Sequence, residues 1–222
     1  MQELEIPDVK RASIRQIGAV VREAEKRTGT EYIHFEMGVP GLPPSAVGVA
    51  AECEALKRGV ASVYPIIDGI PEVKEQASRF MKAFVNVDIA PSSCIPTVGS
   101  MQGTFASMML ASQLDAKKDT ILYIDPGFSV QKMQAEVIGL KIASFDLSDY
   151  RCEKLEAKLE SYFAQGNICA VIYSSPNNPT WMCLNEQELE IIGRLATKYD
   201  VVVIEDMAYM TMDFRRDMSK PF

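Results

Sequence analysis

The chain has 222 residues, of which 47% are apolar, and its 30 acidic against 23 basic side chains give a formal charge of −7. That apolar share is enough for a sizeable buried core and argues against disorder, while the acidic balance without a basic stripe excludes the electrostatic footprint of a nucleic-acid binder. Five cysteines lacking any C-x-x-C pair indicate neither a disulfide framework nor a redox or zinc motif, and no uninterrupted apolar stretch has membrane length, so the expected location is cytoplasmic.

From Ala12 to Arg27, Ile14, Ile17, Val21 and Ala24 fall at helical spacing, and Thr28-Gly29 stops the helix. Tyr32 to Met37 reads as a short strand running into Gly38-Val39-Pro40-Gly41, and Pro43-Pro44-Ser45 opens a helix that lasts to about Arg58. After Pro71 the chain alternates: a helix to about Phe84, a strand near Ile95, a helix from Ser100 to Gln113, a strand from Thr120 to Ile124 and a helix after Ser129. A strand at Leu140 to Phe145, a helix at Glu153 to Ala164, a strand at Ile168 to Tyr173, a helix from Asn185 and a strand at Val201 to Ile204 complete the series. Such β-then-α repetition is what a parallel sheet needs, because each crossover returns the chain to the same end of the sheet. The strands Ile121 to Ile124, Ala170 to Tyr173 and Val201 to Ile204 are continuously apolar, as expected when helices cover both faces. Asn185 with Glu188 makes a capping-box pattern, and Leu184 with Leu189 a hydrophobic staple. The run Met101, Phe105, Met108, Met109 has the spacing of a core stripe.

In an open parallel sheet ligands collect beyond the carboxyl ends of the strands, so the residues just after each apolar run carry the information. Thr97-Val98-Gly99-Ser100-Met101 is a small-residue turn opening a helix, able to hold a phosphate on free N–H groups or to serve only as a cap. Asp125-Pro126-Gly127-Phe128 puts an aromatic at the sheet edge, free to lie on a ligand ring or to plug the core. Ser174-Ser175-Pro176-Asn177-Asn178-Pro179-Thr180 is a rigid loop presenting amides. Val201 to Ile204 runs into Glu205-Asp206, and a carboxylate at the end of a buried strand needs a cationic partner from a ligand or from the protein. Other chemistries lack their residues: His34 is the only histidine, there is no G-x-S-x-G elbow, and no G-x-G-x-x-G turn.

Asn178-Pro179-Thr180 followed by Asp206-x-Ala208-Tyr209 resembles the paired signature of the class I/II aminotransferases, pyridoxal-phosphate enzymes of fold type I. Gly99-Ser100-Met101 and Phe128 fall where that family has its phosphate loop and ring-stacking aromatic. Tyr64-Pro65 followed by Gly69, and Glu36 to Pro40, resemble its Tyr-x-x-x-x-Gly segment and its early Gly-x-Pro strand end. The resemblance implies a three-layer α/β/α large domain with a mainly parallel sheet, incomplete at its C-terminal side. Residues 1–38 would be an N-terminal arm with part of the small domain, and residues 39–222 the N-terminal portion of the large domain. It further implies pyridoxal 5'-phosphate as cofactor, an amino acid and a 2-oxo acid as substrates, aspartate being the first guess for the amino acid, and a homodimer with shared active sites. Asp206 would keep the ring nitrogen protonated, Asn178 and Tyr209 would hydrogen-bond the phenolic oxygen, and Phe128 would stack on the ring. Gly99, Ser100 and Met101 would hold the phosphate, Tyr64 would reach the phosphate of the neighbouring subunit, and Gly38 would lie beside the substrate carboxylate.

Three features depart from the family's pattern. Trp181 stands where a glycine usually follows Asn-Pro-Thr, Met101 can offer the phosphate only its backbone N–H, and the Schiff-base lysine is expected beyond Phe222, Lys220 being too close to Asp206 for that role. The expectation is a fragment of a parent near twice this length, inactive by itself as a transaminase. A decarboxylase, a carbon–sulfur lyase or an aminocyclopropane-carboxylate-synthase-like enzyme would keep the same cofactor residues. A non-catalytic dimerisation or sensing module of the same fold is the alternative outside enzymes.

Overall fold

The computed structural model describes residues 12–35, 37, 38 and 41–212. These form two compact units, the first ending at Tyr64 and the second beginning at Pro65.

In the first unit, α1 (Ile14–Thr28) starts at a capping box in which the Ser13 hydroxyl accepts the Gln16 N–H and the Gln16 side chain accepts the Ser13 N–H. It ends where Gly29 takes a left-handed conformation at φ 68°. Helix α2 (Ala46–Lys57) follows as expected. The strand expected from Tyr32 to Met37 is absent among the described residues. A strand needs a partner, and here the Glu25 carboxylate of α1 takes that place, accepting the Tyr32 N–H at 3.0 Å and lying 3.2 Å from His34 Nε2. Ile33 and Phe35 stay exposed.

The second unit holds α3 (Pro71–Val85), α4 (Ser100–Leu114), β1 (Thr120–Asp125), α5 (Ser129–Ile138), β2 (Lys141–Asp146), α6 (Glu153–Phe163), β3 (Ile168–Ser174), α7 (Glu186–Tyr199) and β4 (Val202–Asp206). No strand forms near Ile95, which is exposed between Pro91 and Pro96, since a proline cannot donate to a ladder and the run has no neighbour. The four strands are all parallel, in the order β2-β1-β3-β4. Alternate side chains sort to the two faces. Leu122, Ile124, Val171 and Tyr173 pack with Leu155, Leu159 and Phe163 of α6 and Ile191, Ile192 and Leu195 of α7. Ile121, Tyr123, Ala170 and Ile172 pack with Met108 and Ala111 of α4 and Ala135 of α5. The result is the expected α/β/α sandwich. The methionine stripe of α4 is core only in part, for Met108 is fully buried whereas Met101 and Met109 are about half exposed. No helix among the described residues is long and apolar enough to cross a membrane.

Gly69 seats the chain against the turn that leads into α4. Its φ is 97°, and a Cβ there would lie 2.4 Å from Pro96 Cδ, deep inside van der Waals contact with a rigid ring. Gly69→Ala therefore meets both backbone strain and a clash, and the expected loss is about 2 kcal/mol. The readout is a lower urea midpoint at unchanged slope.

Candidate active site

Between β1 and β3 the strand order reverses direction: β1 leads outward to β2, then the chain returns past β1 to β3 and on to β4. The crevice outside the carboxyl ends of the strands at such a switch point is where open α/β sheets bind ligands. A cavity of about 270 Å³ lies there, bordered by Ser100 and Met101 of α4, Phe128 and Asn178 from the loops after β1 and β3, Ser174 and Asp206 at the ends of β3 and β4, and Ala208 and Tyr209 just beyond β4. Six of the residues singled out from the sequence thus converge, and Gly99 directly precedes Ser100. Gly38 and Tyr64 belong to the first unit, where both are exposed.

Asp206 is the last residue of β4, opposite Ser174 in the register, so the ladder itself sets it beside the Asn178 loop. One carboxylate oxygen accepts the Gln131 side-chain amide at 2.8 Å, and the other accepts the Ala208 N–H at 3.1 Å. A carboxylate offers about four lone-pair positions, so two remain for a ligand donor. Gln131 is buried on α5, and the Tyr123 hydroxyl donates to its main-chain carbonyl at 2.9 Å. Burial pushes the Tyr123 phenol well above its ordinary range, so it acts here as a donor throughout the physiological range. Sequence reasoning missed Gln131. Removing its amide with Gln131→Leu is expected to cost about 1.5–3 kcal/mol of stability in a thermal melt, as for a hydrogen bond to a charged group, and Gln131→Glu is expected to cost more because it sets a second carboxylate against Asp206.

The Asn178 loop is held by its neighbour. Asn177 is buried, and its amide nitrogen donates to the Pro126 carbonyl at 2.6 Å and the Ser174 hydroxyl at 3.2 Å, tying the β3 loop to the β1 loop. Its carbonyl oxygen accepts the Thr180 hydroxyl and N–H. Asn178 is thereby left to face the cavity, where its side-chain amide donates to the Tyr209 hydroxyl at 3.2 Å. Glu205, grouped with Asp206 in sequence, does not line this cavity but an adjoining recess of about 330 Å³ beside α4, which shares Ser100, Asp206 and Ala208 with it.

Gly99 begins α4 at φ 75° with no side chain capping the helix. The first turn is clamped from α5, where Gln134 donates to the Met101 carbonyl at 2.8 Å and accepts the Thr104 hydroxyl at 2.8 Å. The positive end of the helix dipole is thus aimed at the cavity without a competing carboxylate cap, which suits an anion.

An open α/β sheet carrying an acidic residue, an amide–phenol pair and a helix N-terminus at its switch point has the donors and acceptors to hold a small polar ligand. Residues 30–219 match the family described as aminotransferase class I and II, and the chain belongs to that family. Among curated proteins it is 33% identical over 198 residues to the glutamate-pyruvate aminotransferase AlaC of Escherichia coli K12, covering 87% of this chain and 46% of that protein. It is 25% identical over 191 residues to a probable aspartate aminotransferase of Methanocaldococcus jannaschii, covering 86% and 49%. Among solved structures, the alanine aminotransferase from Pyrococcus furiosus superposes with a TM-score of 0.74 at 25% identity, covering 89% of this chain and 50% of that one. The fold is therefore that of the aminotransferases, and the chain spans about half the length of the relatives it matches.

Proposed function

We propose that this chain forms the larger part of a pyridoxal-phosphate site, and that the protein containing it transfers an amino group between an amino acid and a 2-oxo acid. The observation that carries the reading is that the Asp206 carboxylate and the Asn178–Tyr209 pair line one cavity whose far wall is the uncapped end of α4.

The donor set fits the cofactor group by group. A carboxylate suits a protonated ring nitrogen, the Asn178 amide and Tyr209 hydroxyl suit a phenolic oxygen, a helix N-terminus suits a phosphate dianion, and the half-buried Phe128 offers a ring face. When bound, pyridoxal phosphate supplies an electron sink for the pair released as a bond at the amino-acid Cα breaks. Asp206 holds the ring proton that deepens that sink. Asn178 and Tyr209 donate hydrogen bonds that set the basicity of the oxygen beside the reacting nitrogen. Ser100 and Met101, through backbone N–H groups and the Ser100 hydroxyl, would hold the phosphate. Tyr64 is fully exposed, and the family resemblance assigns it to the phosphate of a second copy in a homodimer with shared sites. Gly38 falls to the substrate carboxylate, and the cytoplasm is the matching location.

For the substrate pair, glutamate and pyruvate are favoured over aspartate, because the relative bearing those names is the more similar of the two curated proteins compared. Calorimetric titration of the purified chain with pyridoxal phosphate tests the site, with one saturable event expected and none sinking the reading. A panel of amino acids given to the full-length protein, with the cofactor's absorbance followed as it converts to its amine form, tests the reaction and its donor.

A further inference from the structure

Trp181 holds a backbone conformation that a glycine adopts freely and a tryptophan does not. Its φ is 60°, in the left-handed region where a Cβ crowds the following carbonyl. The turn around it is fixed without the indole. The Trp181 N–H donates to the Asn177 carbonyl at 2.8 Å, the Asn177 N–H donates to the Met182 carbonyl at 3.0 Å, and the Asn177 side chain secures Thr180. Nor is the indole core packing, since the residue is 46% exposed. Its aromatic contact is with Tyr209, at a centroid separation of 6.1 Å and an interplanar angle of 68°, the favoured edge-to-face geometry. Tyr209 is thus contacted on its ring by Trp181 and at its hydroxyl by the Asn178 amide, while it lines the cavity at the end of β4.

We propose that Trp181 is a positioning residue for Tyr209, bracing the phenol ring so that its hydroxyl stays beside Asn178 at the cavity. The inference rests on reading that cavity as the pyridoxal-phosphate site, and it explains why a bulky side chain stands at a position whose backbone favours glycine. An unbraced Tyr209 would have to be ordered when the ligand binds, and that ordering would be charged against affinity.

The test is calorimetric titration of the chain and two variants with pyridoxal phosphate, alongside thermal melts. Trp181→Gly relieves backbone strain while losing one aromatic contact and loosening the unfolded chain, so its melting temperature is expected to stay within about 2 °C of the parent. Its affinity for pyridoxal phosphate is expected to fall about three- to tenfold, the worth of one edge-to-face pair. Trp181→Phe keeps a ring against Tyr209 and is expected to stay within about twofold of the parent. Because Trp181 is the only tryptophan in the chain, its emission should be quenched with the same midpoint as the calorimetric event. Undiminished affinity in Trp181→Gly, equal losses in both variants, or a melting temperature that falls together with affinity would each overturn the bracing role, and so would binding without quenching. A parent chain that fails to bind the cofactor at all would instead bring down the functional reading on which the role depends.

Discussion

Replacing Asp206 with alanine is expected to weaken pyridoxal phosphate binding by about 30- to 1,000-fold, the usual consequence of removing one member of a desolvated, hydrogen-bonded charge pair. The size of the effect follows from how the carboxylate is held. Gln131 and the Ala208 N–H fix both of its oxygens before any ligand arrives, so little ordering remains to be done on binding. Asp206→Asn separates charge from shape. The amide keeps the volume and can still accept a hydrogen bond, yet it offers no negative charge to a protonated ring nitrogen, so its loss of affinity should approach that of the alanine variant. The melting temperature of Asp206→Asn should change far less. Titration calorimetry on the three proteins reads the difference, and an asparagine variant that binds as tightly as the parent would show that charge is not what the site recognises.

The residues of this site differ in how visible they are in the amino-acid order. Asn178 and Asp206 stand out because each follows a continuously apolar strand, and β3 and β4 do run into them. The start of α7 is equally legible, since Asn185 and Glu188 make the reciprocal capping bonds that their spacing implies. Gln131 is invisible by the same logic: a glutamine on an amphipathic helix reads as a surface residue, and only the sheet order brings it to a partner 75 positions away. The two missing strands fail for a related reason. Apolar, β-branched residues at Ile33 and Ile95 satisfy the local pattern, but a ladder needs a neighbour that no local pattern specifies, and both side chains are left exposed. Trp181 was visible as a departure from a glycine position, whereas its reason, the ring of Tyr209, lies across the fold.

The largest expected loss of stability lies outside the cavity, at Glu188. This side chain is fully buried at the start of α7, where its two oxygens accept Arg151 Nε at 2.5 Å, Arg151 Nη2 at 2.7 Å, and the N–H groups of Cys152 and Asn185 at 3.0 Å each. Arg151 Nη2 also donates to the Cys183 carbonyl at 3.1 Å, and the Ser175 hydroxyl accepts the Leu184 N–H at 3.1 Å, so the same node anchors the far end of the Asn178 loop. Glu188→Ala leaves these donors without their acceptor. The expected loss is about 3 kcal/mol, near the low end for breaking a buried pair because the Arg151 side chain is still 35% exposed and can turn to water. For a domain of this size that corresponds to a drop in melting temperature of about 6–12 °C. The sign of the pH dependence follows from the carboxyl's environment: burial by itself would raise its pKa, but the Arg151 hydrogen bonds and the two backbone N–H groups outweigh it and hold the group below its ordinary value. A depressed folded-state pKa gives stability that is fully present above the unfolded value, about 4.3, and is lost as the pH falls through the folded one. The gap in melting temperature between the parent chain and Glu188→Ala should therefore be widest near neutrality and close as the medium is acidified below about pH 4. Melts across that range decide it, and a gap that stayed constant would mean that the ionised pair contributes nothing beyond its shape.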